Sequence, residues 1–129
     1  AGLPPLTWAT MTMTGGTGSG PIIGLGGVVG DVWALKDNGE LFRSTGGAFS
    51  LQDTFSGGVR GLAVSDDAIV VVKFRGVMHC PRGTCTALAD YTEFNLVSLG
   101  LDSHAACVGP AGRLVFIASD TSSAFRLAV

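Results

Sequence analysis

The chain has 129 residues and a mass of 13.1 kDa, with 10 acidic and 8 basic side chains and a formal net charge of −2. It is 47% hydrophobic but only 14% charged, against roughly 25% in an average soluble domain, which excludes a disordered acidic tail. Two lysines, Lys36 and Lys73, and six scattered arginines exclude a phosphate-neutralising nucleic-acid binder, and no apolar run reaches the ~18–20 residues of a membrane span.

The chain opens on Ala1-Gly2-Leu3-Pro4-Pro5 without a Met. Such a start is what signal-peptide removal leaves, although an internal cleavage leaves the same kind of end. The expected location is therefore secreted or extracytoplasmic. Residues 6–14 then read as a strand that precedes the first complete unit. The run Gly15-Gly16-Thr17-Gly18-Ser19-Gly20 reads as a flexible connection.

From residue 21 the sequence repeats itself. Ile22, Gly24 and Leu25 meet Val59, Gly61 and Leu62 at a constant offset of 37, and Lys36 and Gly39 meet Lys73 and Gly76 at the same offset. A looser third copy begins near Ala105-Ala106-Cys107-Val108, about 44–45 residues further on. A period near 40 with several short strands per unit is the sequence mark of a propeller blade.

The first unit, 21–56, predicts strands over residues 22–29, 31–36, 40–44 and 48–55. Asn38-Gly39 supplies the positive φ angles of a type I′ hairpin. The second unit, 57–96, predicts strands over 59–65, 68–74, 77–81 and roughly 85–95. The third, 97–129, predicts only three. No stretch carries a sustained 3.6-residue apolar period with caps, so helices should be nearly absent. The expected fold is all-β and propeller-like, with about three four-stranded blades, in one segment. Residues 6–14 would complete a blade, of this chain or of another, which hides sheet edges. Rings of this kind have 4–8 blades, so a partner is implied: a second copy or another propeller chain. The isolated chain should expose apolar surface.

Cys80 and Cys85 bracket Pro81-Arg82-Gly83-Thr84, a turn that can bring two strand ends within disulfide range. Free thiols are the alternative. With His79 alongside, the segment matches no standard zinc spacing, so neither a metal nor any other cofactor is implied. Cys107, in an apolar stretch, is expected to be a buried small hydrophobe.

The run from Gly30 to Gly47, GDVWALKDNGELFRSTGG, resembles the repeat core of tectonin-type propeller lectins. It is also similar to bacterial-neuraminidase repeats and the related photosystem-assembly propellers. The neuraminidase Asp box, approximately Ser-x-Asp-x-Gly-x-x-Trp, lacks its Asp here, because Ser44-Thr45 runs into Gly46-Gly47. The lectin resemblance implies carbohydrate binding, with a glycan as ligand. The neuraminidase resemblance implies one chain of a sialidase-like or other glycoside hydrolase propeller. The third implies an assembly factor or structural subunit of a larger complex.

A sialidase-like site needs clustered arginines, a Tyr nucleophile with a Glu partner, and an Asp acid. Tyr91 and Glu93 have strand spacing to share a face, but they fall on an outer strand and read as surface residues. Asp66-Asp67 reads as a turn, and adjacency of Asp102, Ser103 and His104 does not make a triad. No catalytic residue is assigned, and the chain leans towards non-catalytic recognition or scaffolding. Carbohydrate sites need an aromatic face and planar polar groups. The candidate ligand-binding residues are Trp33, Arg43 and Arg75, with His104 lining a channel and Trp8 as a further aromatic. Trp33 and Arg43 equally suit the inter-blade core and a blade edge.

Overall fold

The computed structural model describes residues 10–108 and 113–119, and the backbone of 125–128. Among the described residues, twelve strands form three sheets. The first holds β1 (Met13–Thr14), β2 (Ile22–Val28), β3 (Asp31–Lys36), β4 (Glu40–Ser44) and β5 (Phe49–Thr54), in the order β1-β5-β4-β3-β2. The second is the meander β6 (Val59–Val64), β7 (Ala68–Lys73), β8 (Gly76–Pro81) and β9 (Thr92–Asn95). The third runs β10 (Asp102–Val108), β11 (Leu114–Ser119) and β12 (Phe125–Ala128). Helix among the described residues is limited to two short 3-10 turns, Leu88–Asp90 and Val97–Leu99.

The repeat is visible in the backbone. Each inner strand slips its register at the same place, leaving Ile23, Arg60 and His104 as bulged residues. This equates Gly24 with Gly61 and Ala105, Leu25 with Leu62 and Ala106, and Gly26 with Ala63 and Cys107. The constant offset ends at the hairpin. Leu35 faces Leu41 across a three-residue loop in the first sheet, whereas Val72 faces Val77 and Lys73 faces Gly76 across a two-residue turn in the second. Beyond the turn the offset is therefore 36, and Gly39 and Gly76 are not equivalents. Instead of a two-residue type I′ turn, the Gly39 amide donates to the Lys36 carbonyl at 3.0 Å and Gly39 adopts φ 92°. This is the geometry of a three-residue hairpin loop with glycine last.

The sheets stack face to face. The seam between the first and second buries Trp33, Leu35, Leu41 and Phe55 against Val59, Ile69, Val71, Met78 and Tyr91, with Leu62 and Val64 packed alongside. Only glycine allows the approach at the inner strands: a Cβ on Gly24 would stand 2.7 Å from the Leu62 Cβ, and one on Gly26 2.9 Å from the Val64 Cβ. The third sheet is pinned to the second by Ser103. Its hydroxyl donates to the Lys73 carbonyl at 2.6 Å and accepts from the Gly76 amide at 2.9 Å.

The N-terminal strand departs from the expected closing role. Met13–Thr14 pairs in parallel with β5, the outer strand of its own first sheet, making that sheet five-stranded. The Phe49 amide donates to the Thr12 carbonyl at 2.8 Å, and residues 12–16 cover Phe42, Phe49 and Leu51. Residues 6–9 of the expected strand, Trp8 among them, lie outside the described residues. Nor is the glycine-rich run a loose connection. The Glu40 carboxylate accepts from the Thr17 amide at 3.0 Å, the Thr17 hydroxyl at 2.7 Å and the Asn38 side-chain amide at 2.6 Å. Positive φ at Gly15, Gly16, Gly18 and Gly20 lets the run wrap around that carboxylate.

Cys80 and Cys85 form the expected disulfide, with Cα atoms 5.9 Å apart. Cys107 is exposed, contrary to the expectation of burial, because nothing among the described residues packs on the outer face of β10. Apolar surface is indeed open on the single chain: Ile22, Leu25, Val28 and Val29 on and after β2, and Ile117 on β11. No helix among the described residues is long and apolar enough to cross a membrane.

Candidate functional site

Two of the four candidate ligand-binding residues come together, at the mouth of the seam between the first and second sheets. Trp33 and Arg43 are cross-strand neighbours on β3 and β4, and the Arg43 guanidinium lies 4.9 Å from the Trp33 ring centre. Trp33 itself is 1% exposed, so it is a wall of the core and not an open stacking platform. Its Nε1–H has no hydrogen-bond partner among the described residues, nor has the Tyr91 hydroxyl deeper in the seam.

Asp31, at the start of β3, organises the mouth. Its Oδ1 accepts from Arg43 Nε at 2.7 Å, and its Oδ2 is paired with Arg82 Nη2. Arg82 is fixed from the other side by donating Nη1 to the Ser65 carbonyl at 2.7 Å. The Arg43 hydrogen bond holds the Asp31 carboxyl below the usual carboxylate range; burial opposes this and Arg82 reinforces it. Arg82 rides on the turn closed by the Cys80–Cys85 disulfide, so a covalent staple aims it across the seam. Nothing local in the sequence marks Asp31 and Arg82 as partners, since they sit at the ends of strands in different sheets and meet only across the seam. Beside the pair lies a cavity of about 100 Å³ bounded by Trp33, Arg43, Arg82, Gly83, Cys85 and Thr86. Arg43 uses only Nε on Asp31, and its two terminal nitrogens make no hydrogen bond among the described residues.

Arg75 sits at the opposite end of the strands, where its Nε donates to Asp102 Oδ1 at 2.9 Å. It borders a wider hollow of about 360 Å³ with Phe74, Lys73, Glu93 and Asn95. His104 is the bulged residue of β10, half-buried, with Nε2 2.5 Å from the Ser119 hydroxyl. The structure therefore separates Arg75 and His104 from Trp33 and Arg43.

The hydrolytic arrangements do not assemble. Tyr91 is buried in the seam, edge-on to Phe55 at 5.2 Å, and not on the surface as expected. Burial, with the Asp53 and Asp90 charges adding to it, raises its hydroxyl far above the normal range and disfavours the phenolate. Glu93 is exposed and pairs with Lys73 at 3.4 Å. Asp102, Ser103 and His104 each turn to a different partner: Arg75, the Lys73–Gly76 hairpin and Ser119. Asp67 lies in the 65–68 turn, where its amide donates to the Ser65 hydroxyl at 3.1 Å. No group of three metal-ligating side chains occurs among the described residues.

The solved structure of YCF48 bound to a D1 peptide superposes on the chain with a TM-score of 0.54 at 17% identity. The match covers 89% of this chain and 42% of that one, so the chain spans less than half the length of this propeller protein. The fold is propeller-like. No protein-family profile matches the sequence, and no curated protein matches it. At this identity the likeness carries architecture alone, and chemistry has to be argued from the site.

Proposed function

We propose that the chain is a non-catalytic recognition module of a propeller scaffold. It receives an extended protein segment across the mouth of the first seam, with Arg43 as the anchor for a carboxylate. The observation that carries this reading is the guanidinium of Arg43, held through Nε by Asp31, lying over the Trp33 ring and forming part of the wall of a small cavity. Arginine presents a planar fork suited to a carboxylate. Size points the same way: about 100 Å³ is well below the ~300–1,000 Å³ of pockets that enclose a small molecule, and it suits one side-chain or chain terminus. A propeller neighbour bound to a peptide is consistent with this, as is an assembly-factor role. The disulfide suits an oxidising, extracytoplasmic compartment.

Carbohydrate binding is the second reading, favoured by the hollow of about 360 Å³ bordered by Arg75, a planar donor, and by Phe74, whose ring has the Arg60 guanidinium 4.4 Å from its centre. One experiment separates them. The chain is titrated with acidic peptides and their amidated counterparts, and in parallel applied to a glycan array. Peptide recognition at Arg43 predicts that Arg43→Ala weakens acidic-peptide binding about tenfold or more. Asp31→Asn, which removes the competing internal carboxylate, strengthens it, and Arg75→Ala leaves it unchanged. Equal affinity for acidic and amidated peptides overturns the anchor. Glycan binding lost in Phe74→Ala would establish the second reading in its place.

A further inference from the structure

The two ends of the sheet stack expose complementary faces. On the first sheet the open side of the inner strand presents Ile22 and Leu25, the latter 66% exposed, with Gly27 beside them. On the third, the open side presents Ala105 and Cys107 from β10 and Ile117 and Val115 from β11, around a shallow apolar groove of about 210 Å³. The bulge equivalence says what each residue would meet. Leu25 is the counterpart of Leu62, which packs on Gly24 in the internal seam, and Ala105 is the counterpart of Gly24. Gly27 is the counterpart of Val64, which packs on Gly26, and Cys107 is the counterpart of Gly26.

The open faces therefore repeat the internal seam at one level, Leu25 over Ala105 standing for Leu62 over Gly24, and exchange its sides at the next, where Gly26 against Val64 inside becomes Cys107 against Gly27 outside. One side of each pair is a glycine or an alanine. The outer half of the first sheet's open face is already covered by residues 12–16 over Phe42 and Phe49, so a second body has only the β2–β3 half to cover.

We propose that two copies of this chain pair head to tail through these faces, Leu25 of each seated on Ala105 and Cys107 of the other. Such heterologous contacts close when the rotation between copies allows it, and twice three sheets makes six, within the range of known rings. Contiguous exposed apolar surface of this kind marks an interaction site.

Native mass spectrometry and light scattering test the pairing. The expected mass is twice 13.1 kDa. Leu25→Asp should reduce it to that of one chain with an unchanged far-ultraviolet spectrum, whereas Val29→Asp, fully exposed but outside the seam, should leave the pair intact. A second variant does not depend on disrupting the fold. Leu25→Cys with Ala105→Cys, in a Cys107→Ser background, should form on oxidation a covalent species of two chains and no larger. A ladder of higher species would overturn closed pairing in favour of an open filament. A single-chain mass with no cross-link, or assembly only with a different chain, would overturn self-pairing altogether.

Discussion

Glu40 is 3% exposed and has three hydrogen-bond donors converging on its carboxylate, two of them from Thr17. The Thr17 hydroxyl, then the Thr17 amide, lowers its pKa from the ordinary 4.5, with Asn38 and Lys36 adding to the effect and burial opposing it. A carboxyl whose folded value is depressed stabilises the fold above its unfolded value, and that contribution is lost as pH falls through the folded one. Glu40→Gln should accordingly be less stable than the parent at pH 7, and the gap in Tm should narrow as the pH falls below the ordinary carboxyl value and through the depressed folded one. Amide exchange at Thr17 should be faster in the variant at neutral pH. Equal exchange in both proteins would show that the glycine-rich run is held by something other than this carboxylate.

At the scale of the strand, equivalent positions have different neighbours, and the difference can be measured. Gly24 and Gly61 occupy the same place in their inner strands, each just after the bulge. A methyl on Gly24 runs into the Leu62 Cβ at 2.7 Å, whereas one on Gly61 meets nothing within 4 Å. Gly24→Ala should then destabilise the chain by about 1–3 kcal/mol through overpacking. Gly61→Ala should stabilise it by about 0.5–1 kcal/mol, because a strand glycine gives up more chain entropy than alanine. Denaturant titration of the two variants reads both signs. If they shift alike, the close approach of the first and second sheets is not what fixes glycine at residue 24.

The whole molecule is a stack of sheets joined at seams, and Ser103 is the buried polar tie of the second seam. Ser103→Ala leaves the Gly76 amide without its hydroxyl partner in a buried site, for a cost of about 1–3 kcal/mol. Hydrogen exchange should then rise across β10 and β11 while β3 and β4 keep their protection. Uniform loss of protection would mean that the sheets unfold as one unit. This stacked order was legible in the sequence because it rests on local signals: alternating apolar strands, turn residues, and inner-strand glycines that recur at a fixed spacing. The Cys80–Cys85 bridge was legible for the same reason, being closed by its own turn. The mouth at Asp31 was not. Asp31 and Arg82 are 51 residues apart and meet only because two sheets pack, and no local period carries that information. The same limit hid the burial of Tyr91, which sits on an irregular segment that folds back under Phe55.

The unequal hairpins bear on any attempt to recombine the units. A chimera that places second-sheet residues onto the first at constant spacing keeps phase through Lys36 and loses it after the turn. A one-residue slip in a strand turns every side chain to the opposite side. Such a graft would set His79 where Phe42 is 1% exposed, and would carry Met78 into the place of Leu41. Module exchange in this protein therefore has to cross over within the turn and delete one residue there, so that Met78 inherits the position of Phe42.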